Sequence, residues 1–185
     1  MIANWEFQTN VTTEEPAPTI LTKKLMDAIR SQYRLPLAGT HGITHWARVY
    51  ENGLLIGGRN GANLKIVELF AVLHDAGRMN ERGDPGHGGR GAELARMLRG
   101  SCFSLADDEL DLLDFACTYH TAGYIEADLT VQTCWDADRL DLGRVGITPI
   151  PERLCTPEAK GPGVLSWAHD RAARRFVPEL IAASW

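Results

Sequence analysis

The 185-residue chain predicts an all-α fold, a single-domain bundle of about seven helices. Three observations carry this. Apolar residues recur at the three-and-four spacing of amphipathic helices in segment after segment. Capping residues and Pro or Gly stops separate those segments. No stretch alternates apolar and polar residues as a half-buried strand does.

Residues 1–18, rich in Thr, Pro and Glu from Thr9 onward, read as a lead-in, and 19–185 as the helical domain. Ile20, Leu21, Leu25, Met26 and Ile29 mark a first helix that Pro36 stops. Thr40 then offers an N-cap for a helix through Trp46, Val49 and Tyr50, closed by Asn52-Gly53. The run Leu64, Ile66, Val67, Leu69, Phe70, Val72 and Leu73 is apolar on nearly every face, so this helix belongs at the centre of the bundle. It ends at Gly77, with His74-Asp75 in its last turn.

A polar connection over 80–86 leads to a helix with Ala92, Leu94, Met97 and Leu98, closed by Gly100. Ser104 to Asp107 resembles a capping box opening a helix through Leu110, Leu113, Phe115 and Tyr119, with His120 near its end. Leu129 to Leu142 makes another helix, carrying Asp138. Thr156-Pro157-Glu158 starts the last, which runs through Trp167, Ala168, Ala172, Phe176 and Leu180.

A net charge of −5 argues against general nucleic-acid or anionic-membrane binding. The longest apolar run falls far short of the ~20 residues a bilayer crossing needs, and Met1 to Asn10 lacks the pattern of a secretory signal. A soluble, cytoplasmic protein is expected. The cysteines (Cys102, Cys117, Cys134, Cys155) form no C-x-x-C pair and read as reduced thiols rather than zinc ligands.

Function enters with His74-Asp75, flanked by His45 upstream and Asp138 downstream. Two imidazoles and two carboxylates suit a divalent cation of intermediate hardness. A His-Asp pair on a helix is ordinarily a surface pair or a hydrogen-bonded core histidine. Here it ends an unbroken apolar helix, where an unpaired charge is costly and a metal would compensate it.

His41-Gly42-Ile43-Thr44-His45-Trp46-Ala47-Arg48-Val49, then Leu73-His74-Asp75-Ala76-Gly77-Arg78, then Asp136-Ala137-Asp138-Arg139-Leu140-Asp141 resembles the HD-domain metal-dependent phosphohydrolase superfamily. The motif core spans about 38–145. The resemblance implies an HD-domain-like bundle with His45, His74, Asp75 and Asp138 as metal ligands. Asp136 and Asp141 remain the alternatives for the last ligand; Asp136 lies ~200° around the helix from Asp138, so only one of the two can reach the metal. Some members of the superfamily use two further histidines for a second metal, a role open here to His87 and His120; with one metal, His120 contacts substrate or moves protons.

Arg48 and Arg78, each three residues after a ligand, are candidates to clamp substrate phosphate, with pairing to a buried carboxylate as the alternative for Arg48. His41 and Asp141 are expected behind the ligands, His41 alternatively facing substrate. The glycine-rich stretch 86–91 lacks a Gly-Lys-Ser/Thr ending and a preceding strand, so it is no P-loop; a mobile loop over the entrance is the expectation. Trp46, Trp135 and Trp167 read as packing residues, the first two close enough to ligands to border the pocket. No role is derivable for 144–160.

The expected activity is hydrolysis of a nucleotide or other small phosphate ester, of phosphomonoesterase or phosphodiesterase type, by a water delivered at the metal. The cofactor is one or two divalent ions (Mn, Mg, Fe, Co, Ni or Zn). The alternatives are a di-iron oxygenase of the same superfamily and a non-catalytic nucleotide-binding module. Oligomeric state leaves no trace in the sequence.

Overall fold

The structure, a computed structural model, describes residues 19–179; the lead-in and Leu180 lie outside that range. Among the described residues there are eight α-helices: α1 (Lys23–Gln32), α2 (Ile43–Asn60), α3 (Leu64–Leu73), α4 (His87–Leu98), α5 (Asp107–Tyr119), α6 (Leu129–Arg139), α7 (Pro157–Lys160) and α8 (Pro162–Ala173). Two 3₁₀ turns, Leu142–Val145 and Pro151–Arg153, bridge α6 to α7. No strand forms among these residues, only an isolated bridge between Arg99 and Phe103. No described helix is long and apolar enough to cross a membrane.

Helix α3 is the centre of the bundle, as its apolar run requires. It packs on α2, α4, α5 and α6, and Ile66, Leu69, Phe70, Ala71, Val72 and Leu73 are fully buried. Each large side chain of that set contributes ~1.5–3 kcal/mol of burial. A smaller cluster of Ile56, Leu140, Leu154, Ala159, Val164 and Ala168 joins the chain after α6 to the back of α2. This is the destination of 144–160, and Asp136 anchors it by accepting from the Cys155 and Thr156 N–H groups and the Thr156 hydroxyl. All four cysteines are free thiols, with Cys117 and Cys134 buried.

Four boundaries depart from the sequence expectation, each for a packing or capping reason. Helix α2 does not stop at Asn52-Gly53 but runs to Gly61. A Cβ on Gly53 would lie 2.4 Å from Val67 Cγ1, and Asn52 Nδ2 donates to the Ala137 carbonyl, so this pair serves close packing on α3 and α6 rather than a turn. Nor does Thr40 cap α2. Gly42 holds that position, because the Leu37 carbonyl occupies the space a Cβ at 42 would need, 2.1 Å away.

The cap of α5 is Ala106, which offers no side-chain acceptor; Glu109 accepts the Ala106 N–H instead. The final helix is split in two at Gly161-Pro162 and ends at Ala173, leaving Phe176 half-exposed beyond it.

The glycine-rich stretch is a fifth correction. It is the first turn and a half of α4, not a loop over an entrance. Cβ atoms on Gly88 and Gly91 would sit 2.2 Å from the Cys117 carbonyl and 2.3 Å from the Leu73 carbonyl, so the glycines let α4 press against the ends of α5 and α3. Gly88→Ala is therefore expected to force those backbones apart, at a cost of ~1–3 kcal/mol. The measurement is the urea midpoint, with Gly89→Ala as control, since a Cβ there meets nothing within 4 Å.

Candidate metal centre

The helices deliver their ends to one place. His45 lies in the first turn of α2 and His87 opens α4, while His74 and His120 cap the C-termini of α3 and α5 and Asp138 sits in the last turn of α6. Three helix C-termini bring partial negative charge to this region and the N-termini of α2 and α4 bring positive charge, so the carboxylates and imidazole nitrogens rather than the helix dipoles make it a cation site.

His45 Nε2 lies 3.1 Å from His74 Nε2. Asp75 Oδ2 is 3.5 and 3.7 Å from these nitrogens, and Asp138 Oδ1 is 3.5 and 3.8 Å from them. Two donors on one ion cannot be further apart than twice a bond of about 2.0–2.2 Å, or about 4.4 Å; these separations all satisfy that limit. On the other side of Asp75, Oδ1 is 3.2 Å from His87 Nε2 and 3.7 Å from His120 Nε2, and those two nitrogens are 2.9 Å apart. Asp75 therefore presents one oxygen to each pair of histidines.

The tautomers follow from the outer nitrogens. His74, His87 and His120 place Nδ1 against the carbonyls of Phe70, Asp84 and Cys117, and His45 places Nδ1 2.7 Å from Asp141 Oδ2. A carbonyl only accepts, so Nδ1 carries the proton in each of those three rings. The carboxylate assigns His45 in the same way.

All four Nε2 atoms then present lone pairs to one another and to Asp75. Lone pairs 3.1 Å apart require a cation between or beside them. A proton would settle the His87–His120 contact: burial lowers the His120 pKa, but the Asp75 bond and nearby carboxylates outweigh this and raise it. For His74 burial dominates and pushes the pKa down to about 3, so that ring is neutral. Asp138 Oδ1, moreover, is buried with no hydrogen-bond partner. A proton shared by two rings leaves that oxygen orphaned, whereas a divalent ion satisfies it and both rings together. The donor set fits a metal.

The remaining predicted residues fall behind this cluster. Asp141 accepts from His45 and from Nε and Nη2 of Arg48 at 2.6 and 3.0 Å. Burial alone would raise its pKa; those partners hold it below the usual carboxylate range. The third Arg48 nitrogen donates to the Phe176 carbonyl. Arg48 thus has the carboxylate-pairing geometry rather than that of a free phosphate clamp.

Arg78, too, is committed: Nε donates to Asp75 Oδ1 at 2.8 Å and Nη1 to the carbonyls of Asn80 and Arg82. His41 Nδ1 pairs with Glu81 at 2.6 Å, outside the ligand group. Asp136, with both oxygens occupied by residues 155 and 156, is turned away from the cluster. Trp46 and Trp135 are wholly buried packing residues, and Trp167 is partly exposed.

Glu81, Asp84 and Arg144 were not singled out from sequence. Asp84 ties the α3–α4 connection together through Met79 N and Arg90; its Asp-Pro-Gly context was the available signal. Arg144 reaches within 3.8 Å of Asp138 Oδ1, and no linear pattern announces it. A cavity of about 890 Å³ between α2 and α8, around Leu54, Leu55, Val164 and Trp167, is lined by none of the histidines; the histidine cluster lies elsewhere.

His74 gives a pH prediction. Its pKa is 6.5 in the unfolded chain and about 3 when folded without metal, so the unfolded chain binds more protons between those values. Stability is therefore lost as pH falls from 6.5 toward 3. The raised His120 runs the other way, so the readout is a difference: the fall of Tm between pH 7 and 4 is expected to be shallower in metal-free His74→Gln than in the parent.

The fold has a counterpart among solved structures. The crystal structure of a predicted HD superfamily hydrolase from an uncultured Thermotogales bacterium matches with a TM-score of 0.62 and 23% identity, covering 82% of this chain and 87% of that one. The bundle is thus HD-domain-like, as the ordered motifs led one to expect. No family model and no curated protein matches the chain.

Proposed function

We propose that this chain is a metal-dependent phosphohydrolase acting on a nucleotide or other small phosphate ester, with His45, His74, Asp75 and Asp138 as ligands of one divalent ion. The observation that carries the reading is the pair of facing lone pairs on His45 and His74 beside the partnerless Asp138 oxygen. His87 and His120 lie on the other oxygen of Asp75 and offer a second donor group, so we propose two ions, with Asp75 supplying one oxygen to each. The solved neighbour's description as a predicted hydrolase supports the reaction class.

Ions so held would supply Lewis acidity, polarising a phosphoryl oxygen and making water a better nucleophile at neutral pH. The protein's own part is to fix geometry. The Asp141 carboxylate, locked by Arg48, orients the His45 ring and strengthens its Nε2 as a donor; backbone carbonyls do the same for His74, His87 and His120. Arg78 holds Asp75 so that its two oxygens face opposite ways.

The test is elemental analysis of the purified protein, then a phosphate-ester screen of the metal-free protein with Mn²⁺, Mg²⁺, Co²⁺ and Ni²⁺. About two ions per chain and metal-restored phosphate release are expected. No bound metal and no release with any of them would end the proposal. The four-histidine, two-carboxylate donor set equally suits a di-iron oxygenase. Iron content with oxygen consumption, and no phosphate release, would decide for that reading.

A further inference from the structure

Beside the metal centre lies a small cavity of about 40 Å³, lined by Thr40, Thr44, Arg48, Arg144 and Arg175. The space exceeds the ~10–15 Å³ that one water needs. It opens at the start of α2, where Gly42 provides no capping side chain and no acidic residue lies in the first turn, while the Ile43 N–H donates to the Leu37 carbonyl.

The three guanidinium groups differ in how far they are used. Arg48 is consumed by Asp141 and the Phe176 carbonyl. The Arg144 side chain is only 7% exposed; it donates through Nε to the Thr40 carbonyl and through Nη1 to the Asp141 carbonyl. Its Nη1 also lies 3.8 and 3.6 Å from Asp138 and Asp141. Arg175 has no ion pair or side-chain hydrogen bond among the described residues. Asp138, Asp141 (paired with Arg48) and Glu81 (behind Gly39) lie near these groups, but the cavity wall itself carries three guanidinium groups and no carboxylate.

Arg175 adds an independent sign. It follows the C-cap of α8 in a Schellman turn: Phe176 N–H donates to the Arg171 carbonyl and Arg175 N–H to the Ala172 carbonyl. Such turns favour glycine at this position because φ is positive, and Arg175 has φ 53°, making it the one described non-glycine residue with positive φ. The chain thus places a solvent-exposed cation, with no ion pair among the described residues, where glycine would be less strained, and that cation lines the cavity.

We propose that Arg144 and Arg175, at the open end of α2, bind a phosphate group adjoining the one that reacts. Arg144 spans the interval between this cavity and Asp138. The assignment to substrate rests on the phosphohydrolase reading. It narrows the substrate class to compounds with two neighbouring phosphates, a nucleoside di- or triphosphate or a bisphosphate, over simple monoesters.

The experiment is titration of metal-free full-length protein with inorganic phosphate, alongside thermal melts, for the parent, Arg175→Gly and Arg144→Gln. Arg175→Gly is expected to melt roughly 2–4 °C higher yet bind phosphate at least ~10-fold more weakly, a combination that a merely structural residue does not give. In metal-loaded protein the same variant should lose its preference for pyrophosphate-containing substrates over monophosphates.

Phosphate affinity unchanged in both variants would overturn the subsite whatever the enzyme does. Weakened binding in a protein that hydrolyses no phosphate ester would leave the subsite standing and sink the hydrolase reading instead.

Discussion

Asp75→Asn is expected to reduce phosphate-ester turnover by about 10³-fold or more, beyond the 10–100-fold typical for a residue that merely supports a ligand. The reason is its position: Oδ2 faces His45 and His74, while Oδ1 faces His87 and His120. An amide has one oxygen, so one pair of histidines loses its carboxylate and meets an NH₂ group instead. Two positive ions would then share one fewer negative charge. Metal content by elemental analysis should fall from about two per chain, with far-UV circular dichroism unchanged, since α3 ends at Leu73 and its core residues are untouched. Full activity in the folded variant would refute the assignment of Asp75.

Arg48→Ala carries the largest expected cost in stability. Arg48 and Asp141 are both nearly inaccessible, at 3% and 1% side-chain exposure, and joined through two nitrogens. Removing Arg48 leaves the buried Asp141 carboxylate with only the His45 ring and, at 3.6 Å, Arg144, at a cost of ~3 kcal/mol, the low end for breaking a buried pair. For a chain of this size that lowers Tm by roughly 10 °C. Lysine is not expected to rescue it, because an ammonium group cannot donate in parallel to both oxygens and also reach the Phe176 carbonyl.

Asp141→Asn separates support of the fold from support of the metal. It keeps an acceptor for His45 but removes the charge, so metal affinity should drop ~10–100-fold. A melt of Arg48→Ala within about 1 °C of the parent would show that the pair is dispensable.

Much of this was legible in the chain. The unbroken apolar run of α3 determined that it lies at the centre, because no solvent-facing stripe is left to it. The ordered histidines and aspartates determined which side chains to suspect; the helices bring His45, His74, Asp75, His87, His120 and Asp138 together with Asp141 behind His45, and leave His41 and Asp136 outside the cluster. Several of the misplaced boundaries fall at glycines. Gly53, Gly88 and Gly91 look like stops or loops in one dimension, yet each sits within a helix where a neighbouring helix leaves no room for a Cβ.

The division has a physical basis. Periodicity and residue chemistry are local, so the sequence by itself determined an all-helical bundle and a set of candidate ligands. Which nitrogen of each histidine carries a proton, that Arg48 is committed to Asp141 and Phe176, and that Arg144 and Arg175 line one cavity depend on distances between residues up to 128 positions apart. Only the packed helices set those distances, because side-chain chemistry across helices is decided by where their ends converge.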